Sequence, residues 1–265
     1  MVFGFIGTGN MGGALARAAR RRLAGEDILL ANRTAAKAAA LAEELGARAA
    51  DNRDIAWEAD YLFLGVKPRM MGGLLAELAP VLAERKSRFV LVSMAAGVSF
   101  ADIREMAGRE VPVIRIMPNT PCSVGEGMIL YTPGPGVTEG EMKEFLEAMA
   151  GAGRFSPIPE ELMDAGSAVA GCGPAFVDLF AEALADGGVA CGLPRAQAME
   201  FAAQMIAGSA RLLLESGRHP GELKDAVCSP GGATIQGVRK LEEAGFRGAV
   251  MNAVIAACEK TGALK

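Results

Sequence analysis

Short apolar runs alternate with helix-period stretches over the first 157 positions of the chain. Val2–Ile6, Ile28–Ala31, Tyr61–Val66, Phe89–Ser93 and Val113–Met117 are compact apolar runs and read as strands. An Ala/Arg-rich helix covers Leu15–Leu23. A second helix spans Thr34–Leu45, with Thr34 at the N-cap and Gly46 closing it. A strand at Met128–Tyr131, a helix over Glu139–Ala150 and a short strand at Arg154–Pro157 complete the series. Strands that alternate with helices imply an α/β fold: a doubly wound, mostly parallel sheet of the Rossmann type.

The pattern changes after Pro159. Phe176, Leu179, Phe180, Ala183 and Leu184 recur at helical spacing, and Ala196–Leu214 is apolar around most of its circumference. Val250, Val254, Ile255 and Cys258 form another stripe. A domain boundary is therefore expected near residue 158, giving a nucleotide-binding domain over 1–158 and an all-helical domain over 159–265. The helical half holds more apolar surface than a small domain can bury, which predicts an intersubunit helix interface and a homo-oligomer.

Composition narrows the function. The 265 residues are 51% hydrophobic with few aromatics and carry a net charge of −4, which argues against nucleic acid or an anionic membrane as partner. The longest uncharged run, Met1–Ala16, is broken by glycines and lacks a basic lead-in, so neither a signal peptide nor a membrane helix is expected. Five scattered cysteines without a CxxC pair, and His219 as the one histidine, argue against a metal site and a Ser-His-Asp triad. The cysteines read as small thiols in a reducing cytoplasm.

Gly7-Thr8-Gly9-Asn10-Met11-Gly12 fits G-x-G-x-x-G between a strand and a helix. The first glycine permits the sharp turn, the second lets a pyrophosphate approach the backbone, and the third allows close helix packing. An NAD site commonly carries an acid at the end of the second strand, to hold the ribose 2′-hydroxyl. Here the chain reads Ala31-Asn32-Arg33-Thr34. Arg33 suits a 2′-phosphate and Thr34 can donate to it, so NADP(H) is preferred, with NAD(H) left open. Asn32 and Asn52 are grouped with the nucleotide contacts. Val66-Lys67-Pro68 ends a strand at the ligand edge, where Lys67 can face phosphate or ribose. Ala95-Ala96-Gly97 is small enough for a nicotinamide to lie against the backbone. Asn119, at the end of another strand, offers both a donor and an acceptor and is expected to touch cofactor or substrate.

One further segment carries chemistry. Ser229-Pro230-Gly231-Gly232-Ala233-Thr234 makes a tight turn into a helix that begins near Ala233. The first amides of a helix lack internal partners and carry partial positive charge, which suits a small carboxylate; Thr234 adds a neutral hydroxyl.

These blocks, together with Arg115–Pro121, Gly171–Phe176, Asp186–Val189, Gly192–Arg195 and His219-Pro220-Gly221, stand in the order found in pyrroline-5-carboxylate reductases, which the whole chain resembles. The resemblance implies reduction of the ring imine 1-pyrroline-5-carboxylate to L-proline, the last step of proline biosynthesis. It also implies a Rossmann domain joined to a helical dimerisation domain, in dimers that assemble further, commonly to decamers. Thr234 would then hydrogen-bond the ring nitrogen, beside a nicotinamide bound by the neighbouring chain, while amides around Ser229–Ala233 hold the carboxylate. An imine basic enough to arrive protonated needs no strong enzyme acid. The family usually reads Ser-Gly-Ser-Gly-Pro-Ala-Tyr where this chain has Ala170-Gly171-Cys172-Gly173-Pro174-Ala175-Phe176, so two hydroxyls and a phenol are absent near the substrate. Two other readings remain: a 3-hydroxyacid dehydrogenase with Lys224 as acid/base, and a non-catalytic NADP(H) sensor.

Overall fold

Parallel strands with helices on both faces have no solvent side, so they are written as unbroken apolar runs rather than as alternating ones. The computed structural model, which describes residues 1–263, shows this directly. Every residue of β1 (Phe3–Ile6), β2 (Ile28–Ala31), β4 (Tyr61–Leu64), β5 (Val90–Ser93) and β6 (Val113–Met117) is buried. β3 (Arg48–Ala49), β7 (Gly127–Pro133) and β8 (Gly153–Pro157) complete an eight-stranded sheet of order β3-β2-β1-β4-β5-β6-β7-β8. All pairings are parallel except β6 with β7. The two-residue β3 was not legible as a strand; it is exposed and contains Arg48, so it lacks the apolar signal.

The helices of this unit are α1 (Asn10–Arg20), α2 (Ala35–Leu45), α3 (Asn52–Glu58), α4 (Met71–Glu84), α5 (Phe100–Ala107) and α6 (Glu139–Met149). The glycine fingerprint opens α1 as expected, its first turn beginning at Asn10, and the helix ends at Arg20 rather than at Leu23. On one face of the sheet Phe3, Phe5, Tyr61, Phe63 and Phe145 pack together, Phe5 stacking on Phe63 at 4.2 Å between ring centroids. On the other face α3 and α4 contribute Ile55, Leu74, Leu78 and Leu82. Alternation along β1 divides the work: Phe3 and Phe5 face the aromatic side, while a Cβ on Gly4 would lie 2.3 Å from Ile55, so only glycine lets α3 settle there.

The chain forms two compact units: residues 1–172 with 257–265, and residues 173–256. This packing division falls at Cys172/Gly173, because the short helix α7 (Met163–Ala170) packs on the sheet, Met163 joining Met117 and Leu130 in a small buried cluster. The stretch 160–190 is long and apolar enough to cross a membrane by composition. The chain turns within it at Gly171-Cys172, which separates α7 from α8 (Gly173–Ala190).

In the second unit α8 lies against α9 (Arg195–Ser216), with Ala185, Ala198 and Ala202 buried between them. Gly192, at φ +98°, makes the turn, and Arg195 bridges to Asp186 at 2.6 Å. α10 (Pro220–Ala226), α11 (Ala233–Glu243) and α12 (Phe246–Gly262) follow, the last turns of α12 from Ala257 belonging to the first unit. Large apolar side chains stand exposed on these helices, among them Leu179, Phe201, Leu212, Leu214 and Met251, each more than half accessible.

Candidate active site

The three fingerprint glycines occupy three different environments. Gly7 sits at φ +100°, where a side chain is strained, and a Cβ there would press on the Gly65 carbonyl at 2.6 Å. Gly12 packs so closely that a Cβ would lie 2.0 Å from the Gly7 oxygen. Gly9 has ordinary backbone angles and open space where a Cβ would point. Gly7 and Gly12 are therefore required by the protein, and Gly9 leaves room for something outside it. Gly9 is the N-cap of α1 without a side-chain cap bond, and Asn10 and Met11 begin the helix, so first-turn amides are available to an anion. The Thr8 hydroxyl oxygen is the one buried side-chain polar atom without a partner among the described residues. The open space at Gly9 and the first-turn amides of α1 fit a nucleotide pyrophosphate.

From Gly7 and Gly9 a cleft of about 770 Å³ runs past Asn32, Arg33, Thr34, Val66 and Lys67. Arg33 and Thr34 are exposed to it. Thr34 holds the N-cap position of α2 as expected, yet its side chain makes no cap hydrogen bond. The Asn32 amide donates to the Thr34 carbonyl at 3.3 Å, which shapes this turn. Asn52 lines the cleft as well, its amide donating to Glu77 at 3.1 Å. Lys37 and Arg69 line the same cleft and were missed by sequence reasoning. The signal for Lys37 was its place in the first turn of α2, just beyond Arg33. Lys67 and Arg69 also border a neighbouring cleft of about 740 Å³ that reaches Pro68 and Gly97. Ala95 and Gly97 are buried and Ala96 partly so, at the end of β5 beside these cations.

Asn119 does not present a free amide. It is 7% exposed; its Nδ2 donates to the Ala170 carbonyl at 3.0 Å and its Oδ1 accepts from the Met128 amide at 3.1 Å. The orphan carbonyl at the end of α7 thus takes one of the two N–H donors of this amide and ties the side chain into the fold. Cys122 is buried three residues on, and desolvation pushes its thiol up from the ordinary range.

In the second unit the turn before α11 is built as the sequence suggested. Gly231 has φ +70°, and a Cβ on Gly232 would strike the Ser229 hydroxyl at 2.4 Å. Gly232 is the N-cap of α11, which begins at Ala233 and carries no acid in its first turn. The Gly232 amide, however, donates to the Ser229 carbonyl at 3.0 Å and closes the turn, so it is not available to a carboxylate. The amides that remain by helix geometry are those from Ala233 onward. Ser229 and Thr234 are exposed. Lys224 is paired with the adjacent Asp225.

Comparison with known proteins adds the following. Residues 160–264 match the model of the pyrroline-5-carboxylate reductase dimerisation domain, and residues 2–97 match that of the NADP oxidoreductase, coenzyme F420-dependent, domain. The chain is 42% identical to a pyrroline-5-carboxylate reductase of Escherichia coli K12 over 97% of its own length and 96% of the relative's. It is 40% identical to that of Pisum sativum, over 97% and 94%. Among solved structures, the Plasmodium falciparum enzyme with NADP bound aligns with a TM-score of 0.87 at 33% identity, covering 99% of this chain and 97% of that one. The Coxiella burnetii enzyme aligns with a TM-score of 0.89 at 30% identity, covering 99% and 98%.

Proposed function

This chain belongs to the pyrroline-5-carboxylate reductase family, and from that premise we propose which of its residues carry the reaction. The enzyme reduces the C=N bond of 1-pyrroline-5-carboxylate to give L-proline, with a pyridine nucleotide as cofactor. It assembles with copies of itself through a helical dimerisation domain.

The cofactor is NADP(H) in preference to NAD(H). The observation that carries this reading is the open Cβ direction of Gly9 at the head of a cleft where Arg33 and Thr34 are exposed and the Thr34 hydroxyl is not engaged by α2. Arg33, Thr34 and Lys37 hold the 2′-phosphate, the Gly7–Gly12 backbone takes the pyrophosphate, and Lys67 lies along the ribose. Asn32 and Asn52 shape the adenine end. Val66, Pro68 and Ala95-Ala96-Gly97 give the nicotinamide a flat, small-residue surface. When bound, the reduced nicotinamide supplies the hydride.

The protein's own part is alignment and charge. The Thr234 hydroxyl bonds the ring nitrogen and relays its proton, and the Ser229 hydroxyl with the first amides of α11, from Ala233 and Thr234, holds the carboxylate; Gly231 and Gly232 set the turn. The helical domain starts at residue 159 as a functional unit, because the dimerisation model matches from 160, although 160–172 packs with the sheet. The exposed apolar faces of α8, α9 and α12 form a homodimer, and dimers assemble further, to a decamer. All five cysteines are free thiols, in keeping with a cytoplasmic setting.

The test compares oxidation of NADPH and NADH with pyrroline-5-carboxylate in the natural enzyme and in Arg33→Ala. Loss of a charge-assisted phosphate pair is expected to lower the NADPH/NADH ratio of kcat/KM by about 10- to 100-fold. An unchanged ratio removes Arg33 from the 2′-phosphate site.

A further inference from the structure

The connector that leaves the sheet after β8 is held at both ends by β6 and β7. At its start the Ile158 amide donates to the Tyr131 carbonyl at 3.0 Å, and the Thr132 hydroxyl donates to the Ile158 carbonyl. Glu160 then accepts from the buried Arg115 guanidinium at 2.7 Å and from the Phe100 amide at 2.7 Å. At its end the Ala170 carbonyl belongs to the last turn of α7, where carbonyls lack intrahelical donors. Asn119 supplies one from the C-terminal tip of β6. The amide's orientation is fixed chemically: the Met128 N–H can only donate and the Ala170 oxygen can only accept. Ala170 and Ala96 pack on one small cluster, that of Met117, Leu130 and Met163. The end of α7 therefore lies beside Ala96, at the sheet edge proposed above for the nicotinamide, and the Gly171-Cys172 turn follows it directly.

We propose that Asn119 is a positioning residue for imine reduction: by holding the Ala170 carbonyl it fixes the Gly171-Cys172 turn beside the reacting end of the cofactor cleft. This rests on the reading of that turn as part of the substrate site. On this reading Asn119 acts through the Ala170 carbonyl and not by direct contact with cofactor or substrate. Its effect falls on the fit of the imino acid, while the nucleotide cradle at Gly7–Gly12 and Arg33, on other strands, is left alone.

Asn119→Asp isolates the one bond. Ionised, the new carboxylate still accepts from the Met128 N–H but faces the Ala170 oxygen without a proton. Protonated, it donates to that oxygen, and burial raises its pKa toward the accessible range. Relative to the natural enzyme at each pH, the variant's KM for pyrroline-5-carboxylate is expected to be about tenfold higher near pH 8 and to recover as pH falls to about 5.5. Its NADPH Kd stays within about twofold. Asn119→Ser, which carries no charge and is too short to reach, is expected to raise KM at every pH with the same unchanged NADPH Kd; it carries the test if the Asp variant does not fold. A KM ratio independent of pH in Asn119→Asp, or a weakened NADPH Kd with KM unmoved, overturns the proposal. Cys172→Phe separates it from its premise. If that bulky change leaves KM unmoved, the turn is not at the substrate; if it raises KM while Asn119→Asp does not, the tether is not what positions the turn.

Discussion

Two glycines of one hexapeptide, Gly9 and Gly12, make opposite predictions when each receives a methyl group. Gly9→Ala adds a Cβ to open space at φ −72°, an angle any residue adopts, so the melting temperature is expected to stay put while the NADPH Kd rises at least about tenfold. Gly12→Ala forces a Cβ to within 2.0 Å of the Gly7 oxygen and is expected to destabilise the fold by about 1–3 kcal/mol. Thermal melts beside fluorescence titration with NADPH read both effects. If Gly9→Ala binds NADPH normally, the pyrophosphate does not lie against this backbone. Thr234→Ala removes a hydroxyl that is not part of the nucleotide cradle. It is expected to lower kcat by about 100-fold or more while leaving the NADPH Kd unchanged, as measured by steady-state rates and titration. Equal turnover would take Thr234 out of the mechanism.

Among the elements, α6 shows how a helix end ties stability to pH. Thr138 and Glu141 form a capping box, and Glu141 also pairs with Arg88 at 2.6 Å. The Arg88 hydrogen bonds first, then the Thr138 backbone and hydroxyl, hold the Glu141 carboxyl at about 2. A carboxyl lowered by folding stabilises the native state above its ordinary pKa and loses that contribution as pH falls through the folded value. The window therefore runs from about 4.5 down to about 2. Because Arg88 is more than half exposed, solvent screening keeps the contribution to about 1 kcal/mol. Urea melts are expected to show Arg88→Ala less stable than the natural protein near pH 6, with the gap closing near pH 2. A gap of constant size would place the stabilisation elsewhere. The turn before α11 and the tip of α7 show the same economy: the helix-end polar groups at Gly232 and Ala170 are satisfied by Ser229 and Asn119.

At the scale of the molecule, the helical unit carries apolar side chains that a solitary chain leaves in water, and the family's dimerisation domain covers this stretch. Phe201→Glu and Leu214→Glu, on α9, are expected to shift sedimentation toward the monomer with loss of activity; a fully active monomer would disconnect assembly from catalysis. The order of strands and helices, the glycine fingerprint and the Ser229–Thr234 turn were legible in the sequence, because each depends on residues adjacent in the chain: their periodicity, their branching, their permitted backbone angles. β3, the packing of α7 on the sheet and the places of the cations Lys37 and Arg69 were not, because they depend on what lies beside them. Asn119 marks the divide most clearly. Its type announced a donor and an acceptor at a strand end. Which groups would take them was decided by Ala170, 51 positions away, and Met128, 9 away, since a hydrogen bond is allotted by proximity in space and chain order carries no record of that.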